Sequence, residues 1–304
     1  MSEQLAFSLE VASKAALYIA LLPAIGVCAV RSLLLPRLGV RSGEVGALLK
    51  RLGTTTAALV LISLAVRLFT HATAIFGFAD AFVINQIRIV ALESRWGGGW
   101  RVQMLAASAL LATSVLIRAR PGTSSLLPAL AAVVLCYSVP LVGHAAGSVS
   151  RVLLHGSHVL AAGSWLGTLT VLLFLAIRLG GRSGSDPVDD GAALRLKLLQ
   201  GFSPLALSGA AVLLLTGAVS SWLYVGSLSN LRTSSYGWLL VLKIAFVAGV
   251  AVCGYVNWRR LSRQNGELVL TGSPGSMTPT IVLEVLLAGV VTLVTATLTE
   301  VAHP

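Results

Sequence analysis

The sequence predicts an all-α, polytopic transmembrane helical bundle of about eight spans, with both termini on the outer, periplasmic side. Three observations carry that expectation. The 304 residues are 56% hydrophobic and only 11% charged, against roughly 25% charged in an average soluble domain, and the mean hydropathy is +0.88. The apolar residues form continuous Leu- and Ala-rich runs, not the alternating segments of about 10 residues that mark a membrane β-barrel. The basic residues sit in the short gaps between those runs, and alternate gaps hold very different numbers of them.

A bilayer core about 30 Å thick needs roughly 20 apolar residues of helix. Eight runs approach that length: 11–30, 54–76, 101–118, 125–143, 152–178, 203–224, 237–257 and 279–299. The chain start lacks the basic region of a secretory signal, so the first run is expected to stay as a span. Assigning the gaps alternately to two sides puts fourteen Lys and Arg on one side and six on the other, with Arg67 and Lys243 inside spans. The richer side is cytoplasmic by the positive-inside bias, and an even number of spans returns the C-terminus to the side of the N-terminus. The same bias accounts for the net charge of +11 without phosphate contacts, so membrane lipid and not nucleic acid is the expected partner. The chain reads as a single integral membrane domain, 1–304. Its halves, 1–180 and 200–304, are joined by a cytoplasmic linker over 179–201, where Gly180-Gly181-Arg182-Ser183-Gly184-Ser185-Asp186-Pro187 has turn-forming composition.

An ionisable side chain inside a bilayer costs about 2.5–3.5 kcal/mol on insertion scales, which makes each one a functional candidate. In the second span Arg67 and His71 are four apart and share a face. The fourth span ends in Gly143-His144, the fifth opens with Arg151, His155 and His158, and the chain closes at Glu300, His303 and Pro304. All five histidines thus fall toward the outer side. Imidazole is the commonest side-chain metal ligand and suits copper, zinc and iron. His144, His155 and His158, with His71 as a fourth, therefore form a candidate metal site if spans two, four and five adjoin. Interfacial histidines bonded to carbonyls or water are the competing reading.

Lys243 lies in the outer part of the seventh span, Glu284 in the inner third of the eighth, and Glu300 at its outer end. Arg67, Lys243, Glu284, Glu300 and Trp165 are candidates for a pathway or relay. Glu284 stands out because a buried carboxylate can exchange a proton or meet a cation; a glutamate pinning two helices together is the alternative. The three cysteines lie singly, without zinc or redox spacing. Cys28 and Cys253, near the inner ends of their spans, are candidates for a soft exit site, a role that competes with that of small buried hydrophobes.

Several short stretches, in order, are similar to the copper resistance protein D (CopD) family. They are Gly143-His144-Ala145-Ala146, His158 through Gly163-Ser164-Trp165-Leu166-Gly167, Phe202-Ser203-Pro204, Leu215-Thr216-Gly217 and Trp222. Val225-Gly226-Ser227-Leu228, Tyr236-Gly237, Leu242-Lys243, Asn257-Trp258-Arg259-Arg260, Glu284 and Thr299-Glu300 follow. The resemblance covers 143–263 and 279–304, and the residues before 141 share only the family's hydropathy. It implies a multi-pass protein of the bacterial inner (plasma) membrane, concerned with copper homeostasis and resistance, that transports copper ion. It also implies a separate periplasmic copper-binding partner of the CopC type, since no carrier sequence is fused here, and His144 and His158 as the matching histidines. The chain departs from the pattern at Gly167-Thr168, where a glycine pair is usual. The expectation is a transporter and not an enzyme. Two alternatives stand beside it: a b-type haem redox subunit using His144 and His158 as axial ligands, and a structural accessory subunit of a membrane complex.

Overall fold

The structure is a computed structural model that describes residues 3–40, 43–116, 125–180, 190–263 and 279–301. Those residues are helical or lie in short connections, and no strand occurs among them. Eight long helices follow one another: α1 (Glu3–Leu38), α2 (Gly43–Phe76), α3 (Arg95–Leu116), α4 (Leu126–Val142), α5 (Val149–Leu179), α6 (Asp190–Val225), α7 (Ser235–Arg263) and α8 (Pro279–Leu298). Successive helices run antiparallel, as the cross-contacts require. Ser13 near the start of α1 meets Thr70 near the end of α2, whereas Arg31 near the end of α1 donates to the Gly46 carbonyl near the start of α2.

Six of these helices are long and apolar enough to cross a membrane: α1, α2, α5, α7, α8 and the Lys197–Val225 part of α6. The other two form a hairpin of different composition. The fourth is apolar but short, and the third opens on Arg95, three successive glycines and Arg101. Gln103 of α3, fully buried, ties the hairpin by donating to the Ser138 carbonyl at 3.0 Å.

Several helices begin well before their apolar runs, at Glu3, Gly43 and Asp190. Apolarity marks only the stretch that meets hydrocarbon, while backbone hydrogen bonding carries the helix on into polar surroundings. The expected 179–201 linker is entered from both sides by helix, up to Gly180 and from Asp190; 181–189 lie outside the described residues. The first helix stops where Gly39 adopts φ +62° and its N–H bonds back to the Pro36 carbonyl, the left-handed termination that glycine permits.

At the centre lies α1, with 72% of its spanning window buried. Its Leu17, Leu21 and Ile25 pack with Val60 and Leu64 of α2, Leu110 of α3 and Leu135 of α4. Farther along, Val30 and Leu34 pack with Leu172 and Leu175 of α5 and with Phe202 of α6. The closest crossing is between α1 and α5, where Gly26 faces Gly167: a Cβ on either would run into the partner helix's backbone. Small residues let helix backbones approach in this way. The crossing coincides with a π-helical turn in α5, Gly163–Gly167, a local rewinding that re-aims side chains and is common at functional sites. Windows in α6 and α7 are only 17% buried, and that in α8 28%.

Candidate functional site

Three helix ends meet where residues 10 and 300 lie. Glu10 and Lys14 are one turn apart on α1, Arg67 and His71 one turn apart on α2, and the antiparallel packing sets the two pairs opposite each other. Glu10 Oε1 lies 2.9 Å from His71 Nδ1, and the His71 ring stacks on Trp96 at 4.2 Å between centroids. Lys14 Nζ lies 2.8 Å from Glu300 Oε1 as an ion pair, and Arg67 Nη2 lies 3.6 Å from the same oxygen. The Lys14 and Arg67 side chains are only 10% and 5% exposed. Removed from water, two cations on one carboxylate act as a clamp between the first, second and last helices. Arg67 Nη1 is buried with no hydrogen-bond partner among the described residues.

Two further histidines, His155 and His158, look onto α6. His155 and His158 are three apart on α5 and share a face. His155 Nε2 lies 2.9 Å from the Tyr224 hydroxyl, and His158 Nδ1 lies 2.7 Å from Thr216 Oγ1. The Thr216 hydroxyl also donates to the Val212 carbonyl at 2.6 Å; in that arrangement its oxygen accepts from His158, and Nδ1 carries the ring proton. In the neutral imidazole Nε2 then bears the lone pair, the form that binds a metal. Thr216, Ser220 and Tyr224, each four apart, line the same face of α6; Ser220 Oγ is buried without a partner among the described residues. The Arg151 guanidinium sits 5.9 Å from the Tyr224 ring centroid.

His144 lies in a 3₁₀ turn, His144–Gly147, that packs against the start of α5; its side chain lies outside the described atoms, and His303 outside the described residues. The structure thus commits His71 to Glu10 and Trp96, and it turns His155 and His158 toward hydroxyls of α6. Among the described residues no three His, Cys, Asp or Glu side chains come close enough together to hold a metal ion.

Glu284 is 3% exposed. Asn257 Nδ2 of α7 donates to its Oε2 at 2.8 Å, and Thr280 Oγ1 donates to Asn257 Oδ1 at 2.6 Å. The other oxygen, Oε1, faces Gly254, where a Cβ would lie 3.2 Å from it and 3.9 Å from Trp165 Cζ2. Trp165 projects from the π-helical turn into the space left by Gly209 of α6 and Gly254 of α7. Two pathway candidates, Trp165 and Glu284, are therefore neighbours. Lys243 is not among them: it precedes Asn257 by fourteen residues, about 21 Å of helix. The Cys28 thiol donates to the Pro128 carbonyl at 3.6 Å and lines a small cavity with Arg31, Lys50 and Ser114. Its thiol neighbour is Cys136 of α4, while Cys253 is buried on α7.

Sequence reasoning gave no role to Glu10, Lys14, Ser220, Tyr224 or Thr280. Two signals were available in it. Glu10 and Lys14, at the start of the first apolar run, repeat the four-residue spacing of Arg67 and His71, and Thr216, Ser220 and Tyr224 repeat it for hydroxyls.

Comparison with known families covers most of this architecture. Residues 196–298 match the family model described as Copper resistance protein D, and residues 4–152 match Copper resistance protein D-like, N-terminal domain. The second match takes in the region that sequence reading tied to the family by hydropathy alone. No curated protein and no solved structure matches. His155, His158 and Trp165 fall between the two matched stretches, on the helix that joins them. With α1 to α4 matching one model and α6 to α8 the other, the chain belongs to the copper resistance protein D family of multi-pass membrane proteins.

Proposed function

We propose that this chain carries copper ions across the bacterial inner membrane in eight crossings, with its entrance at the periplasmic end, where both termini lie. It does so without covalent chemistry. The observation that carries the reading is the 2.7 Å contact of His158 Nδ1 with Thr216 Oγ1, whose hydroxyl also reaches the Val212 carbonyl: with Thr216 accepting Nδ1–H, Nε2 keeps the lone pair a copper ion needs. Hydrogen bonding of the second ring nitrogen is the usual way a ligating imidazole is oriented. His155 stands one turn away on the same face, and the turn bearing His144 packs against the start of that helix. Copper is the cargo. A soluble periplasmic copper-binding protein of the CopC type would deliver the ion. The alternating helix directions support the sidedness, because they gather most of the loop Lys and Arg at the opposite end.

The test is equilibrium copper binding and copper uptake by the purified, liposome-reconstituted chain, wild type against His155→Ala with His158→Ala. Loss of both binding and uptake in the double variant is expected. Unchanged binding overturns the assignment. A Soret band in the purified wild type would instead establish the haem alternative, and unaltered cellular copper on deletion the accessory one.

A further inference from the structure

The last helix carries two buried carboxylates in very different settings. Glu300 shares one oxygen between Lys14 and Arg67. Glu284, about 24 Å away along α8 at 1.5 Å per residue, has no ion-pair partner among the described residues. Its only polar partner there is the Asn257 amide. A buried carboxylate without a cation is costly in its charged form, and taking up a proton removes that cost.

Among the described side chains, the charged and titratable groups on the helices packed around it do not alter this. On α7, Cys253 is a buried thiol one turn before Asn257, and Tyr255 and Arg259 are exposed. On α5, Arg178 is exposed and lies over Phe174. On α1, Cys28 and Arg31 bond to the Pro128 and Gly46 carbonyls, and Glu10, Lys14 and Tyr18 lie at the far end.

The donor set also discriminates between ions. Glu284, Asn257 and Thr280 offer no imidazole and no sulfur, the ligands that copper favours. Asn257 turns its Oδ1 to Thr280 and donates from its NH₂ to Glu284, so the group beside the carboxylate is a donor and not a metal ligand. Oε1 faces Gly254, whose missing side chain leaves space beside it that the Trp165 edge also borders.

We propose that Glu284 is the proton-exchanging group of this transporter: it takes up a proton on Oε1 and releases it as copper crosses, coupling copper flux to the proton gradient. The proposal rests on the transport reading above. It is tested on the full chain in liposomes loaded with a pH-sensitive dye, with copper flux and lumen pH followed together, for wild type, Glu284→Gln and Asn257→Ala. Infrared difference spectra after a pH jump are recorded on the same proteins. Wild-type copper flux is expected to move protons. Glu284→Gln should bind copper as the wild type does, lose the accompanying proton movement, and lack a titrating protonated-carboxyl band that the wild type and Glu300→Gln both show. Asn257→Ala should shift the pH at which that band appears. Wild-type proton movement in Glu284→Gln, or a carboxyl band that it leaves unchanged, overturns the proposal. If the wild type moves no copper, the transport reading fails instead, and the infrared band alone then decides whether Glu284 exchanges a proton.

Discussion

Around α1, 72% of the spanning window is buried, whereas the windows of α6 and α7 are 17% buried. The difference is one of chemistry as well as area. In the first region helices meet backbone to backbone at Gly26 and Gly167, and the buried charges of Lys14, Arg67 and Glu300 are paired. In the second, polar side chains face one another across thinly packed helices: His155 and His158 toward the hydroxyls of α6, Glu284 toward Asn257. Apolar association gains little between helices already in lipid, so close packing and satisfied polar groups hold such a bundle together. Elements with few buried contacts are also those that move at least cost. The α1 region, with α8 clamped to it through Glu300, is thus the frame, and α6 and α7 are the more thinly packed part.

The contrast can be broken most severely at the clamp. Glu300→Gln leaves Lys14 and Arg67 buried without a counter-charge and should cost about 3–5 kcal/mol, read as a large fall in the melting temperature of the detergent-solubilised protein. A change no larger than that of an exposed control variant would show that the clamp does not hold the frame. Next comes the helix crossing. Gly167→Leu pushes a side chain into the α1 backbone and should cost about 1–3 kcal/mol, while Gly289→Ala, where a Cβ meets nothing within 4 Å, should raise stability by up to about 1 kcal/mol through helix propensity. Equal effects at the two glycines would erase the distinction between a close crossing and an open helix face. The smallest change in stability belongs to Thr216→Val, about 1 kcal/mol for one lost hydrogen bond. Its copper affinity should nonetheless fall roughly 10–100-fold, because the orientation and tautomer of His158 are no longer fixed. Titration calorimetry with copper checks this, and undiminished affinity would detach Thr216 from the site.

Much of this was legible residue by residue. Continuous apolar runs announce helices, and the depth of Glu284, Lys243, Arg67 and Glu300 along their spans follows from counting at 1.5 Å per residue. Partners were not legible. Arg67 and His71 share a face, yet one turns to Glu300 and the other to Glu10 and Trp96. Four histidines near one end did not imply one cluster, because His71 belongs to the α1–α2 seam and His155 and His158 to the α5–α6 seam. Trp165 reaches Glu284 through a π-helical turn that no residue pattern announced.

By itself the sequence determined that the chain is a helical, multi-pass membrane protein and where along its apolar runs each costly side chain falls, since both follow from local composition against a bilayer of fixed thickness. Only the tertiary structure decided which helices are neighbours: that α1 is central, that Lys14 meets a glutamate at the other end of the chain, and that Glu284 has an amide where Glu300 has two cations. The physical reason is that a helix in lipid is apolar on the faces it turns to its neighbours and on those it turns to solvent alike. The amphipathic stripe that marks a core-facing side in water is therefore missing here.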